Sequence, residues 1–387
     1  MLIVITVQAK RRKNHYNDAG LGNLGIFYRR DMSDNERLTD IKHVFVDLAD
    51  ERMGTEAIYC TDDFFAPMQN MLNPKEPVYI TDKYTDRGKW MDGWESRRKR
   101  NGDYDYCIVK FGLSGIIKAV DVDTRHFTGN YPAQASLDAC YSGHTPDETT
   151  QWTEIIPKSN LEGDTHNLFD SDNTDIWTHA RLNIYPDGGV ARLRIYGNVY
   201  RDWSAVERTK LVDLAAVENG GRTLACNDEH FGAMGNITMP GKGINMGDGW
   251  ETRRRRDTGH DWLILQLGHA GRIEMINVDT AFFKGNYPDR VSLDALYLPG
   301  FDRDAPSPEE VAWHDVLGLV LEMDPDAPLR DGVTWQPLLH EQKLGPDKEH
   351  WFKEQLLDTG PVSHIRINIH PDGGISRFRV FGYKYNE

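Results

Sequence analysis

Cysteine is scarce, with four residues in 387. They are too few and too irregularly spaced for a disulfide framework, which points to a reducing compartment and, by default, the cytoplasm. Long hydrophobic runs are missing as well, and nothing approaches the roughly 20 apolar residues of a membrane span. The apolar opening, residues 1–7, is followed rather than preceded by the basic residues 10–13, the reverse of a secretory signal. Positive charge is in deficit: 45 Lys and Arg against 60 Asp and Glu leave a net charge of -15. That argues against nucleic acid and anionic membrane as partners, since both need a net basic face. No His-Glu-x-x-His, paired-cysteine or EF-hand pattern occurs, and no glycine-rich nucleotide signature, so neither a metal nor a cofactor is expected. Asp121-Val122-Asp123 leaves room only for a structural calcium, and its second copy reads Asn277-Val278-Asp279.

What the chain has is one short stretch twice. Asp92-Gly93-Trp94-Glu95-Ser96-Arg97-Arg98 returns 156 positions later as Asp248-Gly249-Trp250-Glu251-Thr252-Arg253-Arg254. Asp123-Thr124 returns as Asp279-Thr280, and Gly129-Asn130-Tyr131-Pro132 as Gly285-Asn286-Tyr287-Pro288, in the same register. Earlier, Val46-Asp47-Leu48-Ala49 matches Val212-Asp213-Leu214-Ala215, and Cys60 matches Cys226. Later, Pro186-Asp187-Gly188-Gly189 matches Pro371-Asp372-Gly373-Gly374. The offset drifts from 166 to 156 to 185, so the first copy carries about ten extra residues within 74–89 and the second about 29 within 299–334. A period this long means two domains rather than a solenoid of short repeats. The divisions are an extension (1–40), a first repeat (41–197), a linker (198–209) and a second repeat (210–387) with the 299–334 insertion.

Strand signals dominate each repeat. Residues 104–111 and 262–267 are short apolar runs closed by Gly112 and Gly268, as suits a strand buried between sheets. Residues 180–184 and 191–195 alternate apolar and polar around the Pro-Asp-Gly-Gly turn, which reads as a hairpin with one face on a core. Its outward arginines, Arg192 and Arg194, with Arg377 and Arg379 in the second copy, should pair with acids on a face open to solvent or a neighbouring subunit. The fold class is therefore all-β, a β-sandwich in each half. Inside the second insertion, Ser307-Pro308-Glu309-Glu310 reads as a helix start whose apolar side serves assembly.

The doubled polar residues are the candidates for chemistry. Glu95, Glu251, Asp123, Asp279 and His126 are the acid-base candidates. Arg97, Arg98, Arg253, Arg254, Asn130, Asn286, Trp94 and Trp250 are the ligand-binding ones. Each has a plainer reading: Asp-Thr and Gly-Asn pairs suit turns, and the tryptophans suit a core. His126 faces Phe282 in the second copy, so the two sites need not be equivalent. A core thiol is the reading for Cys60 and Cys226.

Taken in order and in both halves, the DGWE(S/T)RR, DT…F.GNYP and (Y/H)PDGG..R.R..(Y/F)G blocks resemble the allantoicase family over roughly residues 41–384. The resemblance implies tandem jelly rolls of the galactose-binding type, homo-oligomers, and hydrolysis of the small molecule allantoate to ureidoglycolate and urea. Allantoate carries one carboxylate and two ureido groups on one carbon. Arg suits the first through its planar fork, and carboxylate or amide oxygens suit the ureido N–H groups. The rival reading is a non-catalytic tandem carbohydrate-binding module, since the fold alone does not fix function.

Overall fold

The computed structural model describes residues 34–298 and 334–386, so the helix expected at Ser307 lies outside the described residues. The first repeat runs β1 (Val46–Asp47), β2 (Glu56–Cys60), β3 (Tyr84–Thr85), β4 (Gly88–Lys89), β5 (Trp94–Glu95), β6 (Asp105–Asp123), β7 (Gln134–Cys140), β8 (Thr153–Asn160), β9 (Leu168–Asp170), β10 (Trp177–Tyr185), β11 (Gly189–Val190) and β12 (Arg192–Val199). The second runs β13 (Leu211–Asp213), β14 (Arg222–Cys226), β15 (Trp250–Glu251), β16 (Asp261–Asp279), β17 (Arg290–Leu296), β18 (Gln336–Lys343), β19 (Glu349–Phe352), β20 (Val362–His370), β21 (Gly374–Ile375) and β22 (Arg377–Lys384). Strand for strand the two copies agree, except that the β3–β4 hairpin has no counterpart among the described residues of the second.

Each repeat is an antiparallel β-sandwich. The strand order is β1-β12-β6-β10-β7-β8 in the first and β13-β22-β16-β20-β17-β18 in the second. A single 19-residue strand joins the two layers. The first part of β6 pairs with β2 and β10, and its last part with β12 and β9. Such strands make the corners of a sandwich by passing from one sheet to the other. Gly112 and Gly268 therefore do not close these strands, as expected from the sequence, but lie inside them. A Cβ at Gly112 would meet the Met53 carbonyl oxygen at 2.0 Å, and one at Gly268 the Asn219 carbonyl oxygen at 1.8 Å. Glycine is required there by a close backbone approach.

The expected hairpin across Pro-Asp-Gly-Gly is also corrected. β10 pairs with β6 and β7, while β12 pairs with β6 and β1, so the two alternating runs do not pair with each other. Alternation reveals which face of a strand is buried, not which strand lies beside it. The turn segment pairs instead with the repeated motif, Gly189 and Val190 facing Glu95 and Trp94. Inward residues of both layers, among them Trp94, Leu137, Leu182, Leu193 and Ile195, fill one core. Trp250, Leu293, Ile367 and Phe378 fill its counterpart.

The seam between the repeats is also packed. Helix α1 (Asp34–Val44) crosses the boundary expected at residue 40. It buries Leu38 and Ile41 and reaches Asp170 of one repeat through Arg37 and Glu229 of the other through His43. The linker is less polar in effect than in composition, because Trp203 and Val206 join the second core.

The repeated Val-Asp-Leu-Ala blocks explain themselves here. Asp47 Oδ1 accepts the backbone N–H groups of Ala49 and Ile195, and Asp213 Oδ1 those of Ala215 and Val380. Burial pushes the Asp47 carboxyl up to about 6, against the pull of Arg194, and Asp213 also reaches about 6. A carboxyl whose pKa is raised by folding contributes stability below its unfolded value, near 3.8, and that contribution is lost as pH rises through 6. The stability difference between Asp47→Asn and the parent should shift in the variant's favour from pH 4.5 to 7.5, by at most about 3 kcal/mol. Urea unfolding at the two pH values checks it, and an unchanged difference would contradict the buried, proton-binding Asp47.

Candidate active site

Residues Trp94 to Arg97 of the motif form a short extended stretch whose two sides have different fates. Trp94 and Ser96 point inward and are buried, while Glu95 is half-buried and Arg97 exposed. That is the period-two alternation of an extended chain. On one side Glu95 and Trp94 pair with β11, and on the other Glu95 exchanges backbone hydrogen bonds with Ala66. The second copy repeats this, with Glu251 paired to Gly374 and bridged to Gly232.

The structure brings candidates from the two groups together, a Glu with an Asn in each repeat. Asn130 Nδ2 donates to Glu95 Oε1 at 2.7 Å, and Asn286 Nδ2 donates to Glu251 Oε1 in the same way. The pairing follows from the turn that carries each asparagine, whose backbone carbonyl holds the N–H of Gly189 or Gly374. Burial pushes the Glu95 carboxyl above the ordinary glutamate range, opposed only by the Asn130 hydrogen bond. A carboxylate held by a neutral amide rather than by a cation is not pulled down by a neighbouring positive charge, and so remains available for proton exchange.

The arginines sit at the rim. Arg97 Nε donates to Asp62 Oδ2 and Arg253 Nε to Asp228 Oδ2, both at 2.7 Å, with the guanidinium groups largely exposed. Asp62 lies below the ordinary aspartate range: burial raises it, but its hydrogen bonds from Arg97 prevail. Arg98 is exposed, and Arg254 stands 4.0 Å from Asp372. The sequence reading missed Asp62 and Asp228, although both follow the matched cysteines Cys60 and Cys226 by two positions at an offset of 166.

Other expected residues lie elsewhere. Trp94 and Trp250 are 0% exposed, and their indole N–H groups donate to the carbonyls of Asp62 and Asp228. The expectation that they contact a ligand is thus corrected: they are core residues. Asp123 and Asp279 are buried and accept the backbone N–H groups of Arg125 and Ala281, which is turn chemistry, and neither bonds to Glu95, Asn130 or their copies. Arg125 also grips the Asp123 carboxylate, and His166 Nδ1 meets Asp121 at 2.7 Å. These partners already satisfy the carboxylates that a structural calcium would need, and the described residues contain no cluster of three metal-ligating side chains. His126 has a left-handed backbone (φ 72°), and its Nε2 lies 3.1 Å from the Pro77 carbonyl oxygen. Burial also pushes the Cys60 thiol up to about 11, a poor state for a nucleophile.

Arg192 and Arg377 correct another expectation, since their face is covered rather than open. Arg192 is 1% exposed and reaches the Lys75 carbonyl at one end of the first insertion and Asp92 at the other. Arg377 reaches Asp248 likewise, and Arg194 and Arg379 bind carbonyls of the same covering loops. The doubled arginines therefore clamp the loop that leads into each motif. A cavity of about 300 Å³ opens at the seam, lined by Asp47, Arg52, Glu76, Arg194, Arg222 and Glu229. No Glu, Asn or Arg of the two motif sites lines it. Its charges are matched locally, as in Arg52 with Asp50 and His43 with Glu229.

Comparison with known proteins agrees with this duplicated arrangement. A family model described as "Allantoicase repeat" matches residues 46–200 and 212–385. The chain is 50% identical over 345 residues to a probable allantoicase of Ralstonia nicotianae, covering 89% of this chain and 96% of that one. It is 47% identical over 349 residues to one of Pseudomonas aeruginosa, covering 90% and 98%. Among solved structures it is similar to the allantoicase of Saccharomyces cerevisiae, with 32% identity, a TM-score of 0.72, and 91% and 99% of the two chains covered.

Proposed function

Because the chain belongs to the allantoicase family, we propose that it hydrolyses allantoate to ureidoglycolate and urea on the outward face of the repeated motif. The observation that carries the site is the half-buried Glu95, held by Asn130 and, among the described residues, with no cation on its carboxylate. In the reaction the carbon–nitrogen bond to one ureido group breaks and a bond from that carbon to water oxygen forms. Glu95 takes a proton from water and returns it to the departing nitrogen, so urea leaves neutral. The Glu95 and Asn130 side-chain oxygens accept ureido N–H groups, and exposed arginines hold the substrate carboxylate by two parallel hydrogen bonds.

Incubating the purified protein with allantoate and measuring urea and ureidoglycolate tests this reading. Both must accumulate one to one with turnover. Binding of a glycan without turnover of allantoate would favour a carbohydrate-binding module instead. Self-association and residence in the cytoplasm complete the proposal; among the described residues no helix is long and apolar enough to cross a membrane. Light scattering at the 44.2 kDa of one chain would remove self-association.

A further inference from the structure

Resting on that reading of the Glu95 face, we infer that Arg87, at the tip of the β3–β4 hairpin, holds the substrate carboxylate, and that the first repeat is therefore the working copy. The hairpin is fixed at its root. Val78 N–H donates to Asp92 Oδ2 at 2.9 Å, Lys89 Nζ to the Ile80 carbonyl at 2.6 Å, and the Lys83 ammonium stands 3.6 Å from the centre of the Trp90 ring. Its tip leans on Phe64, where Arg87 Nη1 donates to the carbonyl at 2.9 Å and the guanidinium carbon lies 5.0 Å from the ring centre. The Arg97 guanidinium stands 5.1 Å from the same ring.

Pairing of Ala66 with Glu95 sets Phe64 across from Arg97, on the outward side that Glu95 shares. The two arginines differ in one respect: Arg97 is matched by Asp62, whereas Arg87 has no carboxylate within ion-pair distance among the described residues. A planar cation without a counter-ion, on the same outward face as a half-buried carboxylate, suits a ligand bearing a carboxylate and N–H donors on one carbon. The second repeat keeps Arg253 on Asp228 and Asn286 on Glu251, but has His230 in the place of Phe64 and no hairpin. Ile244, in the loop leading to its motif, is 73% exposed. Among the described residues, a hairpin cation leaning on the aromatic ring beside the motif is found in the first copy and not in the second.

Steady-state kinetics on Arg87→Ala and Arg87→Lys test the inference, with Arg256→Ala as a second-repeat control and thermal unfolding to confirm folding. Arg87→Ala should raise KM for allantoate roughly 10- to 100-fold, the range of one charge-assisted hydrogen bond, and leave kcat within a few-fold. Arg87→Lys should recover part of the loss, and Arg256→Ala should match the parent. The parent's preference for allantoate over its neutral carboxamide analogue should collapse in Arg87→Ala. An unchanged KM, or an equal loss for both substrates, would overturn the role of Arg87. A parent protein that does not turn over allantoate would instead remove the proposed function, and this assignment with it.

Discussion

Replacing Glu95 with Gln should lower kcat for allantoate by about 10²–10⁴-fold, the usual contribution of a general acid-base group. Glutamine keeps the size of the side chain and an acceptor for the Asn130 amide, which donates at 2.7 Å, so thermal unfolding should stay near the parent's. The charge and the exchangeable proton are what it removes. The pH profile gives a second readout. Glu95 must be ionised to take a proton from water, so kcat/KM should rise with pH through its pKa, which burial places above the ordinary value of 4.5. In Glu95→Gln that limb should vanish. Glu251→Gln serves as the comparison, because Glu251 has the same asparagine partner without the hairpin cation. With the first repeat as the working copy, Glu251→Gln should stay within a few-fold of the parent. Equal losses in the two variants would assign chemistry to both copies, and near-normal kcat in both would make the Glu–Asn pairs structural.

The duplication and the fold class were legible because they depend on linear information, namely identical residues at a fixed offset and the period of apolar positions. Glu95 and Asn130 could each be singled out because both recur in the same register, but the hydrogen bond between them could not be read from the sequence. Partners that depend on packing were not. The alternating runs on either side of Pro186 revealed their buried faces but not that β6 separates them. The outward arginines Arg192 and Arg377 were placed on the correct side of their strands, yet the loops that cover that side come from more than 100 residues away. Trp94 lies in a motif full of polar residues, and only the alternation of the ladder shows that it faces inward while Glu95 faces out. Arg87 was invisible for a different reason: it belongs to the unmatched insertion, where comparing the two copies yields nothing.

Asp248→Ala should be among the most destabilising single changes in the second repeat, by about 3–5 kcal/mol, the cost of leaving a buried charge without its partner. Arg377 is 4% exposed and donates to Asp248 Oδ2 at 2.7 Å, while Arg52 of the first repeat donates to Asp248 Oδ1 at 3.2 Å. One carboxylate thus neutralises a buried guanidinium within its own repeat and ties the seam to the neighbouring one. Arg377 keeps the carbonyl of Ser376, but a carbonyl dipole does not replace a full negative charge. Against the ~5–15 kcal/mol that usually separates folded from unfolded protein, the loss is large. At roughly 2–4 °C per kcal/mol for a domain of this size, it corresponds to a fall of about 6–20 °C in Tm by calorimetry. A second change isolates the cause: Asp248→Ala combined with Arg377→Met removes both charges and should recover much of the loss, because an apolar side chain needs no partner there. Should Asp248→Ala alone cost less than about 1 kcal/mol, the covered arginine would be solvated rather than clamped, and the account of the doubled arginines as clamps of the motif loops would fall.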